Sequence, residues 1–228
     1  MVIGPTPPGT GVIALAFSTT SSKSTSPHNL LFSAAYSMTN MTDINDFYDR
    51  EIDFVYPINS KIKFRPEIWA YLQELLKHHI VLTTKSDYLQ SLDMSNLAMF
   101  DKVFGDGYIK QLSRAKATVY SSRELAHIEM MTVRCYESVL ADNIIFVDEQ
   151  TDPQHKILTQ IYKDDEEMIE QLTVNEHNIS QKYEWIMTND CVNYILTKQR
   201  QWYEKLLKDL AEYALKLKKL TTEVIYES

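Results

Sequence analysis

The chain has 228 residues, 44% hydrophobic and 24% charged, which is enough apolar content for a sizeable core and an ordinary charge load for a globular protein. Its formal net charge of −8 works against broad, non-specific attachment of the whole chain to DNA or anionic membranes, while leaving room for a local basic groove. No run of about 18 apolar residues occurs, so no membrane span is expected; two distant cysteines without a CxxC point to a reducing compartment such as the cytoplasm.

Residues 1–50 read as an irregular N-terminal segment. Three of the five glycines and four of the seven prolines fall before residue 28, and Ser and Thr crowd residues 18–26. One short strand is predicted at residues 12–17, with no basic stretch before it to make a signal peptide. Residues 4–11, GPTPPGTG, end like a phosphate-binding P-loop, but Val12 and Ile13 stand where the Lys and the Ser/Thr must follow. Without them nothing reaches the outer phosphates or a Mg²⁺ ion, so a P-loop is excluded.

From residue 52 the pattern changes. Residues 52–56, IDFVY, are β-branched and aromatic and predict a strand. A polar loop at 57–64 leads to a helix over 65–78, with Pro66 in the first turn and Ile68, Trp69, Leu72, Leu75 and Leu76 as its stripe. Residues 80–84 predict the next strand, 86–96 a short helix with a loop, and 100–104 a weaker strand running into the Gly105-Asp106-Gly107 turn. A short helix over 108–115, a strand over 117–120 and a loop over 121–130 follow. A helix then covers about 131–142, a buried strand 143–147 and an acidic loop 148–153. Residues 158–162 predict a small strand, 164–177 a helix opening on DDEE, and 180–220 two helical pieces broken near Asn189-Asp190. Strands alternating with helices predict an α/β fold: a Rossmann-like parallel sheet with helices on both faces over 51–178, followed by long C-terminal helices over 179–228 that pack back on it.

Such sheets bind ligands at the carboxyl ends of their strands. The 57–64 loop, the Gly105 turn and the start of the 131–142 helix all fall on that edge. On the helix, Arg134 and Glu137 lie three apart and share a face, beside an apolar face of Val133, Tyr136, Val139 and Leu140. A helix N-terminus and a guanidinium suit phosphate, and a carboxylate can accept from two adjacent ribose hydroxyls. The alternative is a surface ion pair on an amphipathic core helix. His127 and Glu129 precede that helix, and Asp148 and Glu149 follow the 143–147 strand. Each could meet a sugar or simply be solvated. None of the six histidines pairs at metal-ligand spacing, so the sequence indicates no metal site.

The order strand, turn, helix, Gly turn, then R-x-x-E opening a helix before a buried strand resembles the nucleotide-sugar half of a GT-B type glycosyltransferase. The segment TVRCYESVLADNIIFVDEQTDPQHKI is most similar to phage DNA β-glucosyltransferases of the T-even type, which move glucose from UDP-glucose to hydroxymethylcytosine in DNA. The likeness covers roughly residues 50–215. It implies that Arg134 holds the diphosphate and Glu137 the ribose. It places Asn59, Lys61 and Arg65 where that family has a Ser and two Args, with the uracil read by backbone at Gly107, Tyr108 and Ile109. Lys61 keeps the charge without the planar fork, and Pro57-Ile58 replace a Gly-Gly pair. The family's first domain, which carries the acceptor site and the general base, has no counterpart in the first fifty residues, and Asp43, Asp46 and Asp49 match no base. The resemblance therefore implies a UDP-sugar donor, UDP-glucose above all, with DNA as a partner, no prosthetic group and no membrane. The other reading is a catalytically incomplete nucleotide-binding or interaction module.

Overall fold

A computed structural model describes residues 45–57, 66–92, 94–121 and 133–226. The β-branched runs become strands: Ile52–Val55 (β1), Val81–Thr84 (β2), Leu97–Phe100 (β3), Ala115–Tyr120 (β4), Ile144–Asp148 (β5) and Thr173–Val174 (β6). They form one sheet in the order β3-β2-β1-β4-β5-β6, every pair parallel. The helices are Asn45–Tyr48 (α1), Pro66–His78 (α2), Asp87–Gln90 (α3), Asp106–Leu112 (α4), Val133–Leu140 (α5), Lys156–Tyr162 (α6), Glu166–Leu172 (α7), Ile179–Thr188 (α8) and Val192–Tyr226 (α9). This is the Rossmann-like α/β arrangement the alternation predicts. No helix among the described residues is long and apolar enough to cross a membrane.

The adjacent residues Phe54 and Val55 of β1 face opposite sides of the sheet, which is covered on both. Phe54 joins Tyr71 and Leu72 of α2 and Tyr183 of α8 in one apolar cluster. Ile52 and Val55 join Leu112 of α4 in another, with Tyr108 and Ile109 packed against it. β5 is buried at all five positions, as a strand covered on both faces must be.

The chain runs β1 to β2 to β3 outward, then crosses back so that β4 lies beside β1. Arg50 fixes this return by donating to the carbonyls of Ala115 (2.6 Å) and Asp142 (3.0 Å), at the amino ends of β4 and β5. Asn143 adds bonds to the carbonyls of Leu112 and Ala115. Beyond β5, the two-residue β6 pairs only with Val147 and Asp148, so the first part of the β5 edge lacks a strand. Gln199 of α9 fills that gap. Its side chain accepts from the Ile145 amide (3.2 Å) and donates to the Asn143 carbonyl (2.8 Å), and it also accepts from the Tyr162 hydroxyl (3.2 Å). Beside it, Arg200 meets Asp142 at 2.8 Å.

Several element boundaries differ from the sequence expectations. Residues 158–162 are the end of α6 and not a strand. Ile157, Leu158, Ile161 and Tyr162 are buried at helical spacing, and Asp152 accepts from the amides of Lys156 and Ile157 at the helix start. The last strand instead arises at Thr173–Val174, inside the predicted 164–177 helix, where two β-branched residues end α7. β3 lies at Leu97–Phe100 and not at 100–104, since Lys102 to Phe104 have already left the sheet. The break at Asn189-Asp190 is real, with Asp190 at φ 53°, while α9 then runs unbroken for 35 residues. The predicted strand at 12–17 and the P-loop look-alike at 4–11 lie outside the described residues.

Replacing Gln199 by Leu keeps the volume and strands two buried backbone groups. Unfolding by urea is expected to show a loss of about 2–4 kcal/mol. A loss below about 0.5 kcal/mol, within the range of an indifferent surface change, would mean the β5 edge does not need this side chain.

Candidate functional site

α5 starts past the carboxyl end of β4, next to the point where the strand order reverses. Its sequence commits three of its sides. Cys135, Ser138 and Val139 are buried, and Tyr136 and Leu140 pack against the same core, so the inward face also includes Cys135, which the apolar pattern left out. Tyr136 turns sideways and stacks on Trp202 of α9 (5.5 Å between centroids, 6° between planes), with Tyr203 at 6.2 Å. Ser138 closes its hydroxyl on the Arg134 carbonyl at 2.7 Å. Arg134 and Glu137 are what remains.

These two residues do not form the surface ion pair that their spacing allows. Arg134 is exposed, Glu137 is half-buried, and among the described residues neither side chain closes a salt bridge or hydrogen bond. Burial pushes the Glu137 carboxyl from its usual 4.5 up to about 7, with the Arg134 charge pulling the other way. Tyr108 of α4 faces the same spot. Burial, together with the Glu137 charge, raises its phenol to about 12, and its ring meets Phe100 at 6.2 Å. A carboxylate partly withdrawn from water and left without donors is costly alone, and a ligand bringing hydroxyls relieves that cost. A second polar group close to the reversal point is also unsatisfied: Ser121, at the end of β4, buries its hydroxyl with no partner. Its only sequence signal is a Ser closing a strand before a polar loop.

The Gly105 turn places α4. Gly105 has φ +58° and ψ −134°, a conformation open to glycine, while a Cβ on Gly107 would meet only Val103 at an ordinary 3.7 Å. The amides of Tyr108 and Ile109 both donate to the Gly105 carbonyl (2.9 and 3.2 Å), and Ile109 packs into the apolar cluster beneath. Of the three residues expected to read a base through backbone, Gly107 has its amide outside these bonds. The phenol of Tyr108, facing Glu137, is the contribution the sequence did not suggest.

Asn59, Lys61 and Arg65 lie outside the described residues, as do His127 and Glu129. Asp148 and Glu149 are already engaged by the fold. Asp148 is fully buried and accepts from the Tyr71 hydroxyl (2.7 Å) and from the amide and hydroxyl of Thr151. Glu149 accepts from Asn175 at 3.3 Å. Among the described residues no three His, Cys, Asp or Glu side chains stand together as a metal cluster.

No family model matches the sequence, and neither does any curated protein. Solved structures do match the fold. The T4 phage β-glucosyltransferase in complex with UDP and Mn²⁺ superposes with a TM-score of 0.58 at 14% identity, over 82% of this chain and 53% of the enzyme. The same T4 phage enzyme with its UDP-glucose substrate gives 0.58 at 14% identity, over 82% and 54%. A further structure of this DNA-modifying β-glucosyltransferase, described with and without uridine diphosphoglucose, gives 0.55 at 14% identity, over 75% and 51%. The chain thus resembles one half of these GT-B enzymes in fold and spans about half their length.

Because Glu137 has a pKa of about 7 when folded against 4.5 ordinarily, the folded protein holds a proton that the unfolded chain releases between those values. Stability without ligand is therefore expected to fall as pH rises through that window and to level off above it. Thermal unfolding of wild type and Glu137→Gln from pH 4.5 to 8 checks this. The Gln variant should lose that part of the slope, and identical profiles would show that Glu137 is not held neutral.

Proposed function

We propose that the chain is the donor half of a GT-B glycosyltransferase and binds a UDP-sugar, UDP-glucose in the first instance. The observation that carries the reading is the Arg134–Glu137 arrangement: a guanidinium and a half-buried carboxylate side by side at the carboxyl edge of a parallel sheet, neither bonded to a side chain among the described residues. In this reading Arg134 forks onto the diphosphate and Glu137 accepts from the ribose hydroxyls, which hold the carboxylate in its charged form. Lys61 and Arg65 close on the phosphates from the loop after β1, with Asn59 as a polar contact. The uracil lies along Gly107, Tyr108 and Ile109. Residence of the T4 phage enzyme's structures with UDP and with UDP-glucose supports the choice of donor. The diphosphate charge falls to Arg134, Lys61 and Arg65.

In its most specific form the acceptor is hydroxymethylcytosine in DNA, the acceptor of the enzymes the sequence resembles. A second reading, a nucleotide-sugar-binding module that does no chemistry alone, is favoured by one observation. Among the described residues no carboxylate is identified as the base that would activate an acceptor hydroxyl.

Isothermal calorimetry with UDP and with UDP-glucose tests the shared core of both readings. Wild type should bind, and Glu137→Ala should bind at least tenfold more weakly, about 1.4 kcal/mol. Absence of binding by the wild type would sink the nucleotide assignment. Near pH 6.5, binding should release protons in the wild type and not in Glu137→Gln. Glucose transfer to hydroxymethylated DNA then separates an enzyme from a binding module.

A further inference from the structure

α4 and α5 pack against each other, and both run away from the carboxyl edge. Leu112 at the end of α4 and Ala141 just past α5 are buried in the same apolar cluster, and the Asn143 side chain donates to the Leu112 carbonyl at 3.0 Å. These contacts set the register of the two helices. One turn nearer the carboxyl edge stand Tyr108, four residues before Leu112, and Glu137, four before Ala141. The Ala141 amide donates to the Glu137 carbonyl at 3.0 Å, so the helical spacing holds that far. Side chains on a helix lean toward its N-terminus, so both of these reach up the same seam. The stack of Tyr136 on Trp202 takes the other flank of α5 and leaves Glu137 the flank beside α4.

Packing fixes the Tyr108 ring, which meets Phe100 at 6.2 Å and rests on the cluster of Leu112 and Ala141. Its hydroxyl and the Glu137 carboxyl nevertheless close no hydrogen bond among the described residues, with each other or with a third group. With its pKa pushed up to about 12 by burial and the Glu137 charge, the phenol stays a donor near neutral pH. A carboxylate only accepts. Two half-buried groups of opposite sense, facing each other unbonded, fit a bridging partner that both donates and accepts. A vicinal diol is such a partner. Its two O–H groups meet the two carboxylate oxygens, and a hydroxyl oxygen is left to accept from the phenol.

The geometry points to Tyr108 as a specificity-determining residue: its hydroxyl donates to one of the two ribose hydroxyls that Glu137 accepts from, so the seam between α4 and α5 selects ribonucleotides over their deoxy counterparts. This rests on the nucleotide reading and adds to it a side-chain contact from α4. A deoxy sugar leaves the phenol or a carboxylate oxygen unpaired in a place partly cut off from water, which costs more than the bond itself contributes.

Isothermal calorimetry with UDP, 2′-deoxy-UDP and 3′-deoxy-UDP tests it, on wild type and on Tyr108→Phe, which keeps the ring on Phe100. Wild type should bind both deoxy analogues at least about tenfold more weakly than UDP. Tyr108→Phe should weaken UDP about fivefold. It should bind one of the two analogues as tightly as wild type does, because the hydroxyl that the phenol contacts is already gone. Equal weakening of all three ligands would overturn the proposal and make the phenol a support for Glu137 alone. Wild-type affinities that ignore the missing hydroxyls would overturn it too, as would unchanged UDP binding by Tyr108→Phe. In each of those cases UDP still binds and the nucleotide reading stands, whereas no UDP binding by the wild type would sink that reading and this inference together.

Discussion

β4 lies against β1 and not against β3, and the rest of the molecule depends on that pairing. Two parallel strands followed by chain leaving on opposite sides open a crevice between their carboxyl ends, because no connection crosses it. The pairing needs small side chains and a firm amino end. Ala115 and Ala117 are both fully buried, and the Arg50 guanidinium spans the first carbonyl of β4 and the carbonyl of Asp142, two residues before β5. Arg50 keeps its place through the Phe47 ring, 5.1 Å from the guanidinium carbon, so α1 belongs to the same lock. Everything placed at the carboxyl edge inherits its position from these contacts at the opposite edge.

α5 shows how the scaffold becomes chemistry. Eight residues give a helix little stability of its own, so packing must hold it. Cys135 and Val139 anchor it to the sheet, and Tyr136 lies flat on Trp202 of α9, itself fixed by Gln199 on the β5 edge. With those sides committed, the remaining side carries a guanidinium turned to solvent and a carboxyl turned partly inward beside Tyr108. Desolvation without a matching donor pushes the pKa of Glu137 up to about 7. Hydrogen-bond donors placed against this carboxyl would favour its charged form.

Part of this was legible before any coordinates. Strands such as IDFVY and IIFV announce themselves by composition, and the helix opening on Arg134 by its periodicity. Their alternation with helices is enough to predict a parallel sheet and its ligand edge. Residues 158–162 misled because a short apolar run has no period of its own; Ile157 and the Asp152 cap, one turn away, decide for a helix. β6 was invisible for the converse reason, since two residues are too few to pattern. Asp148 and Glu149 looked available at a strand end, and partners distant in sequence, Tyr71 and Asn175, turned out to occupy them.

The sequence by itself determined the fold class and pointed to a pair of side chains at the carboxyl edge of the sheet, because periodicity and residue type act locally. Whether Arg134 and Glu137 neutralise each other or stand free is not a local property. Their spacing permits an ion pair. The burial of Cys135, the Tyr136–Trp202 stack and the approach of α4 orient the helix so that the pair stays open. The raised pKa of Glu137 follows from how much solvent these neighbours remove, a quantity that exists only once the chain has folded.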